Sequence, residues 1–70
     1  MAEELLKQVK FGKRYTLQEL YALVEKFAVK KKYKDWKKQV RALLEERNGK
    51  RQIGGHRVAY HGNAKYTIYK

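Results

Sequence analysis

The residues best suited to chemistry in this sequence are a run of cations near its centre. Between positions 30 and 41 a single carboxylate, Asp35, interrupts them. The cations of this run are Lys30, Lys31, Lys32, Lys34, Lys37, Lys38 and Arg41. Lysine and arginine bind phosphate oxygens, and the planar fork of arginine also pairs with the O6 and N7 atoms of guanine. The run therefore predicts polyanion binding, with Arg41 as the base-reading side chain and the lysines as phosphate contacts.

A second basic and polar set lies near the C-terminus, around a predicted turn. Its members are Arg57, His61, Asn63 and Lys65. Side chains of these types contact nucleic-acid backbones, although His61 and Asn63 are also ordinary turn residues. Lys13 and Arg14, further upstream, offer another backbone contact.

The net charge supports the same interpretation. Eighteen Lys and Arg face seven Asp and Glu, which leaves +11 on 70 residues. Such an imbalance lowers stability through self-repulsion, and a bound polyanion relieves it. The alternative is that the charge serves solubility alone.

Catalysis and metal binding have little support in the residue types. The chain has no Ser and no Cys, so Thr16 and Thr67 are the only hydroxyl nucleophiles besides the tyrosines. No phosphate-binding glycine loop is present. His56 and His61 have neither a Cys nor a nearby carboxylate to complete a zinc site. We expect no enzyme activity, no cofactor and no metal.

The sequence also argues against a membrane or secreted protein. No apolar run approaches the ~20 residues that cross a bilayer, and the start, Met-Ala-Glu-Glu, is acidic, unlike a signal peptide. The absence of Cys excludes disulfides. We expect an intracellular protein of the cytoplasm, nucleoid or nucleus.

Length and composition predict one small folded domain spanning residues 1–70. The hydrophobic fraction is 43% and includes Trp36, six Tyr and two Phe, which is too rich for a disordered basic tail. Tyr15, Tyr21, Tyr60 and Tyr66 are expected to complete the core, with their hydroxyls at its edge.

Two helices are predicted in the first half of the chain. The first spans Glu3 to Lys10, with acidic residues at its start and lysines towards its end. The second begins at a capping box, in which the Thr16 hydroxyl and the Glu19 carboxylate each accept from the other residue's amide. Its apolar stripe extends over Leu17, Leu20, Leu23, Val24 and Phe27, and it should end near Ala28.

A third helix should begin at Trp36, with the Asp35 carboxylate as its N-cap, and should end near residue 48, where Asn48-Gly49 stops helices. Its apolar positions are Trp36, Val40, Leu43 and Leu44. At roughly 100° per residue the opposite face contains Lys38, Arg41, Ala42 and Glu45, with Lys37 on the flank.

From Gly55 onward the apolar period changes to two, which indicates strands. Val58 and Tyr60 alternate in one strand, and Tyr66 and Ile68 in the next. Gly62-Asn63-Ala64 supplies the turn of a β-hairpin. Residues 50–54 are expected to form the loop that leads into it, and Arg14-Tyr15 a short extended piece.

This order of elements resembles the winged helix-turn-helix domains over essentially the whole chain. The most similar stretch is Trp36-Lys-Lys-Gln-Val-Arg-Ala-Leu-Leu-Glu-Glu, followed by a loop and two strands that end in Lys65-Tyr-Thr-Ile-Tyr. The resemblance implies an α+β fold with a three-helix core and a C-terminal hairpin wing. It also implies that the third helix enters a DNA major groove while the hairpin contacts adjacent backbone or minor groove. The sequence departs from the family in its long basic turn before the third helix and its glycine-rich loop after it.

The leading hypothesis is therefore a double-stranded DNA-binding module, as a small transcriptional regulator, a chromatin or nucleoid component, or a viral factor. RNA binding, including a ribonucleoprotein role, is the first alternative. A winged-helix adaptor that docks an acidic protein is the second. A homodimer stays open because winged helices often dimerise, and membrane-surface binding ranks last because no helix combines a basic face with exposed aromatic residues.

Overall fold

Three helices and a four-stranded antiparallel sheet form the protein, as seen in a computed structural model that describes residues 1–70. The elements in chain order are α1 (Ala2–Gln8), β1 (Arg14–Thr16), α2 (Leu17–Lys30), α3 (Trp36–Leu43), β2 (Gln52–Ile53), β3 (His56–Tyr60) and β4 (Lys65–Ile68). The expected α+β class, with three helices before a C-terminal hairpin, is confirmed.

The sheet has the strand order β1-β4-β3-β2. The predicted hairpin joins β3 to β4, with Val58 opposite Ile68 and Ala59 opposite Thr67. β1 pairs with the other edge of β4. The short strand β2, inside the segment expected to be a loop, pairs with β3. Two residues are too few for a period-two pattern, so the sequence contained no signal for β2.

The core lies between the helices and one face of the sheet. Its least accessible side chains come from every layer: Leu5, Leu20, Val24, Val40, Leu44, Ile53 and Ile68. The predicted helical stripes therefore do face the core. Tyr15 and Tyr21 are buried as expected, and Tyr66 is half-buried, but Tyr60 is 49% exposed. Tyr60 occupies the last position of β3 and lies beside Tyr66 at the edge of the core.

The start of α2 is the predicted capping box. The Glu19 amide donates to Thr16 Oγ1 at 3.1 Å, and the Thr16 amide donates to Glu19 Oε1 at 2.8 Å. α2 continues to Lys30, two residues beyond the expected end, and α1 ends at Gln8 because Val9 is extended. Both differences lie within the usual scatter of helix ends.

The predicted start of α3 at Trp36 is confirmed, but its predicted side-chain cap and its predicted end near residue 48 were wrong. Asp35 has φ 54° and ψ 30°, in the left-handed region, and its side chain makes no capping hydrogen bond. An N-cap residue normally has extended backbone angles that aim its side chain at the free amides. The helix ends at Leu43, whereas Asn48-Gly49 turns the chain between Arg47 and Lys50, whose backbones pair at 2.7 and 2.9 Å. Asn-Gly favours tight hairpin turns as well as helix stops.

Candidate nucleic-acid interface

The turn between α2 and α3 exposes the four lysines predicted to contact phosphates, Lys30, Lys31, Lys32 and Lys34. The Lys32 and Tyr33 amides close the turn by donating to the carbonyls of Val29 and Ala28 at 3.0 Å. The Tyr33 ring packs against Phe27, with 5.9 Å between ring centroids. This contact anchors the turn while its lysines stay in solvent.

The outer face of α3 presents Lys37, Lys38 and Arg41, all exposed. Arg41 Nη1 donates to the Tyr21 hydroxyl at 3.0 Å. Lys37 Nζ lies 5.4 Å from the Tyr21 ring centroid and 5.7 Å from that of Trp36, within the range of cation–π contacts. Tyr21, on α2, therefore holds two of the three cations of this face, and Lys38 extends freely.

Charge is distributed very unevenly along the chain. Residues 1–29 contain five Lys and Arg and four Asp and Glu, a net +1, and residues 42–70 contain six and two, a net +4. Residues 30–41 contain seven and one, a net +6. The one ion pair in the protein joins Lys7 to Glu4 at 4.0 Å, on α1. The cations of residues 30–41, which we call the central basic surface, have no acidic partner.

The basic and polar residues predicted to lie together at the hairpin turn are in fact at two separate places. Asn63 is exposed at the turn with φ 52°, and Lys65 is exposed next to it. The turn lies against the start of α2, where the Leu17 amide donates to the Ala64 carbonyl at 2.8 Å. Arg57 is instead near the far end of β3, about 13 Å from His61 at ~3.3 Å per residue. Its guanidinium lies 4.2 Å from the Tyr69 ring centroid.

The two histidines have separate structural partners. His56 Nδ1 donates to the Tyr69 carbonyl at 3.0 Å, and its ring stacks on Phe11. His61 Nε2 lies 2.7 Å from Thr67 Oγ1. Because residues five apart on a strand point to opposite faces, the two rings do not converge on one ion.

The threonines are also committed to structural bonds. Thr67 is hydrogen-bonded to His61 and is only 3% exposed, so its hydroxyl is not accessible to a substrate. Thr16 belongs to the capping box, where the hydrogen bond from its backbone amide holds the pKa of Glu19 below the ordinary value of 4.5. The absence of enzyme activity stays a prediction.

Sequence reasoning missed two residues that organise this region. Tyr21 accepts a hydrogen bond from Arg41, which is 20 residues away in the sequence, so no local sequence pattern predicts this contact. Arg51 donates to the Leu44 carbonyl at 2.9 Å and lies 4.8 Å from the Tyr60 ring centroid, so it ties the end of α3 to the hairpin. Burial, with a smaller effect of Tyr60, raises the pKa of Tyr66 above its usual value.

No helix of the protein has both the length and the apolar character needed to span a bilayer. Comparisons with family models, curated proteins and solved structures returned no match for this chain. A function is therefore inferred from the charge and geometry of the chain itself.

Proposed function

We propose that the chain is a winged-helix-like domain that binds double-stranded DNA through the central basic surface. The observation that carries this proposal is that all seven cations of residues 30–41 are exposed and none has a carboxylate partner. Duplex DNA presents one negative charge per ~1.7 Å of its axis, so it complements such a surface. Neutralisation by phosphates would relieve the repulsion that the free protein bears.

The order of elements supports the winged-helix assignment. A strand, β1, precedes the second helix and pairs with the last strand of the hairpin, and α3 comes between α2 and that hairpin. The turn of the hairpin lies beside the start of α2. In this arrangement α3 serves as the recognition helix and the residues 61–64 turn as the wing tip, which brings Asn63 towards the backbone.

The dimensions of α3 suit the major groove. With its side chains an α-helix is about 10–12 Å across, close to the width of that groove, and the eight residues of α3 give it a length of about 12 Å. A helix this short reads only a few base pairs. Its exposed residues are Lys37, Lys38, Gln39 and Arg41.

Arg41 is the side chain that we assign to base recognition. Its bond to the Tyr21 hydroxyl uses one of five N–H donors and limits the rotation of the guanidinium. The remaining donors can pair with O6 and N7 of a guanine. Pre-ordering by Tyr21 reduces the entropy lost when that pair forms.

A titration of labelled duplex at several salt concentrations tests the proposal. If about six phosphates are neutralised, log affinity falls against log salt with a slope near −5. Lys38→Ala should reduce the magnitude of that slope by about 1, whereas Arg41→Ala should cost about 1–3 kcal/mol and relax the preference for one guanine. Lys7→Ala, which removes a cation of α1, is the matched control and should change little. Absence of binding at low salt, or equal losses in all three variants, contradicts the proposal.

Competition with other nucleic acids separates DNA from RNA. The major groove of A-form RNA is deep and narrow and does not admit a helix, so the exposed face of α3 favours DNA. Duplex DNA should therefore compete better than duplex RNA of the same sequence. The reverse order would favour the RNA-binding alternative, and capture of an acidic protein after nuclease treatment would favour an adaptor.

A further inference from the structure

The outer face of the sheet, which points away from the helices, is a second basic surface. Side chains alternate across each strand, and the inner set includes the buried Tyr15, Val58 and Ile68. The outer set therefore includes Arg14, Arg57 and Lys65, each exposed. These three cations, which we call the outer sheet cations, come from three different strands.

The strand register places the outer sheet cations around the side chains of Ala59 and Thr67. Arg14, Thr67 and Ala59 lie in one row across β1, β4 and β3. Arg57 is two residues from Ala59 along β3, and Lys65 is two residues from Thr67 along β4. With ~4.8 Å between strands and ~6.6 Å per two residues, Arg14 is about 8 Å from Lys65 and about 12 Å from Arg57, and the latter two are about 14 Å apart. Between them Thr67 is 3% exposed and bonded to His61, so an anion that approaches this face meets the cations and not the centre.

No strand carboxylate and no ion pair neutralises this surface. None of the four strands contains an Asp or Glu, and the outer sheet cations make no ion pair. The Glu19 carboxylate near the end of β1 accepts a hydrogen bond from the Thr16 amide. Charge complementarity thus points to an anionic occupant.

We propose that the outer sheet face binds a second segment of duplex DNA, so that one protein molecule bridges two segments. This inference rests on the proposed function of the central basic surface. That surface occupies α3 and the turn before it, on the helical side of the sheet, while the outer cations occupy the side that the helices leave open. One bound duplex therefore leaves the second face free.

The second contact is the weaker of the two. Three cations release about three counterions, against about six for the primary surface, so one outer face alone binds a free duplex only weakly. Several protein molecules bound along one duplex present their outer faces together, and a second duplex meets these faces at high effective concentration. Bridging should therefore disappear at a salt concentration at which single-duplex binding persists.

A two-duplex capture assay tests this proposal with the full chain. One duplex is immobilised on beads, the protein is added, and the retained fluorescence of a second, labelled duplex of the same sequence is measured. Arg14→Gln with Arg57→Gln removes two outer charges and keeps polar side chains of similar length. We expect the affinity of this variant for a single duplex to lie within about threefold of wild type. The amount of second duplex that it captures should fall by about tenfold or more. Lys7→Gln with Lys26→Gln removes the same charge from the helices and should retain capture.

The outcomes separate the two proposals. Wild-type protein that binds one duplex but captures no second one overturns bridging and leaves the proposed function standing. Capture that survives in the Arg14/Arg57 variant also overturns it, since bridging would then come from another surface or from a dimer. Loss of single-duplex binding in wild type contradicts the proposed function itself. Unfolding midpoints of both variants close to wild type confirm that the comparison is between folded proteins.

Discussion

Helices α2 and α3 of this protein begin in contrasting ways. At the start of α2, Thr16 is extended, and it exchanges two hydrogen bonds with Glu19. At the start of α3, Asp35 is left-handed, makes no side-chain cap, and is followed by two lysines in the first turn, where the helix dipole disfavours cations. The helix that carries the proposed DNA contact is thus the one with the less stable start.

The difference shows that α3 is held by its other end and by packing. Val40 is 0% and Leu44 1% exposed, and Arg51 donates to the Leu44 carbonyl. The first turn is left with free amides and the unpaired charges of Lys37 and Lys38. This arrangement is costly in the free protein and becomes favourable when phosphates approach, because both the amides and the lysines attract them.

The largest expected effect tests whether packing holds α3. Leu44→Ala removes a fully buried side chain at the end of α3 and should lower the free energy of unfolding by about 3 kcal/mol. Leu20→Ala, at an equally buried position of α2, is the matched control and should cost a similar amount. Urea unfolding measures both. A cost below about 1 kcal/mol for Leu44→Ala alone would mean that α3 is not anchored as described.

The next effect concerns the capped start. Thr16→Ala removes the hydroxyl that accepts from the Glu19 amide and should cost about 1 kcal/mol of unfolding free energy. The control is Thr16→Ser, which keeps a hydroxyl that can accept from the Glu19 amide. Thr67→Val is not a suitable control, because the Thr67 hydroxyl is bonded to His61. A loss in Thr16→Ser equal to that in Thr16→Ala would show that the hydroxyl is not responsible.

Substitutions at the uncapped start of α3 should affect stability through the backbone conformation of residue 35. Asp35→Gly and Asp35→Ala both remove the carboxylate, but only glycine adopts a φ of 54° without strain. We therefore expect Asp35→Gly to be more stable than Asp35→Ala by about 1 kcal/mol. Equal stabilities, measured by urea unfolding, would indicate that residue 35 is not left-handed in solution.

These two helix starts also show what the sequence can predict. The Thr16 box was predictable because both of its hydrogen bonds join residues three apart. Asp35 misled because aspartate favours N-caps and also tolerates the left-handed region, and residue type alone does not decide between them. The Asn48-Gly49 pair misled for the same reason, since it suits a helix stop and a hairpin turn equally.

The candidate site was predictable in its charge and less so in its geometry. The cations of residues 30–41 are adjacent in the chain, so their exposure followed from the pattern alone. The partnership of Arg41 with Tyr21 depends on how α2 and α3 pack. The separation of Arg57 from the hairpin tip depends on where β3 begins, which the period-two pattern does not define to within a residue or two.

The smallest expected effect is a pH dependence confined to the start of α2. The hydrogen bond from the Thr16 amide lowers the pKa of Glu19 below 4.5, so the ionised carboxylate stabilises the folded state. That contribution is fully present above the ordinary pKa of about 4.5 and is lost as pH falls through the lower pKa of the folded state. Glu19→Gln keeps an acceptor for the amide but does not titrate. Wild type should therefore be slightly more stable than Glu19→Gln at pH 7, and the difference in urea midpoint should shrink from about pH 4.5 downwards. A difference that stays constant to pH 2 would exclude the ionised carboxylate as its cause. The greater stability of the start of α2, compared with that of α3, would then come from the Thr16 hydroxyl alone.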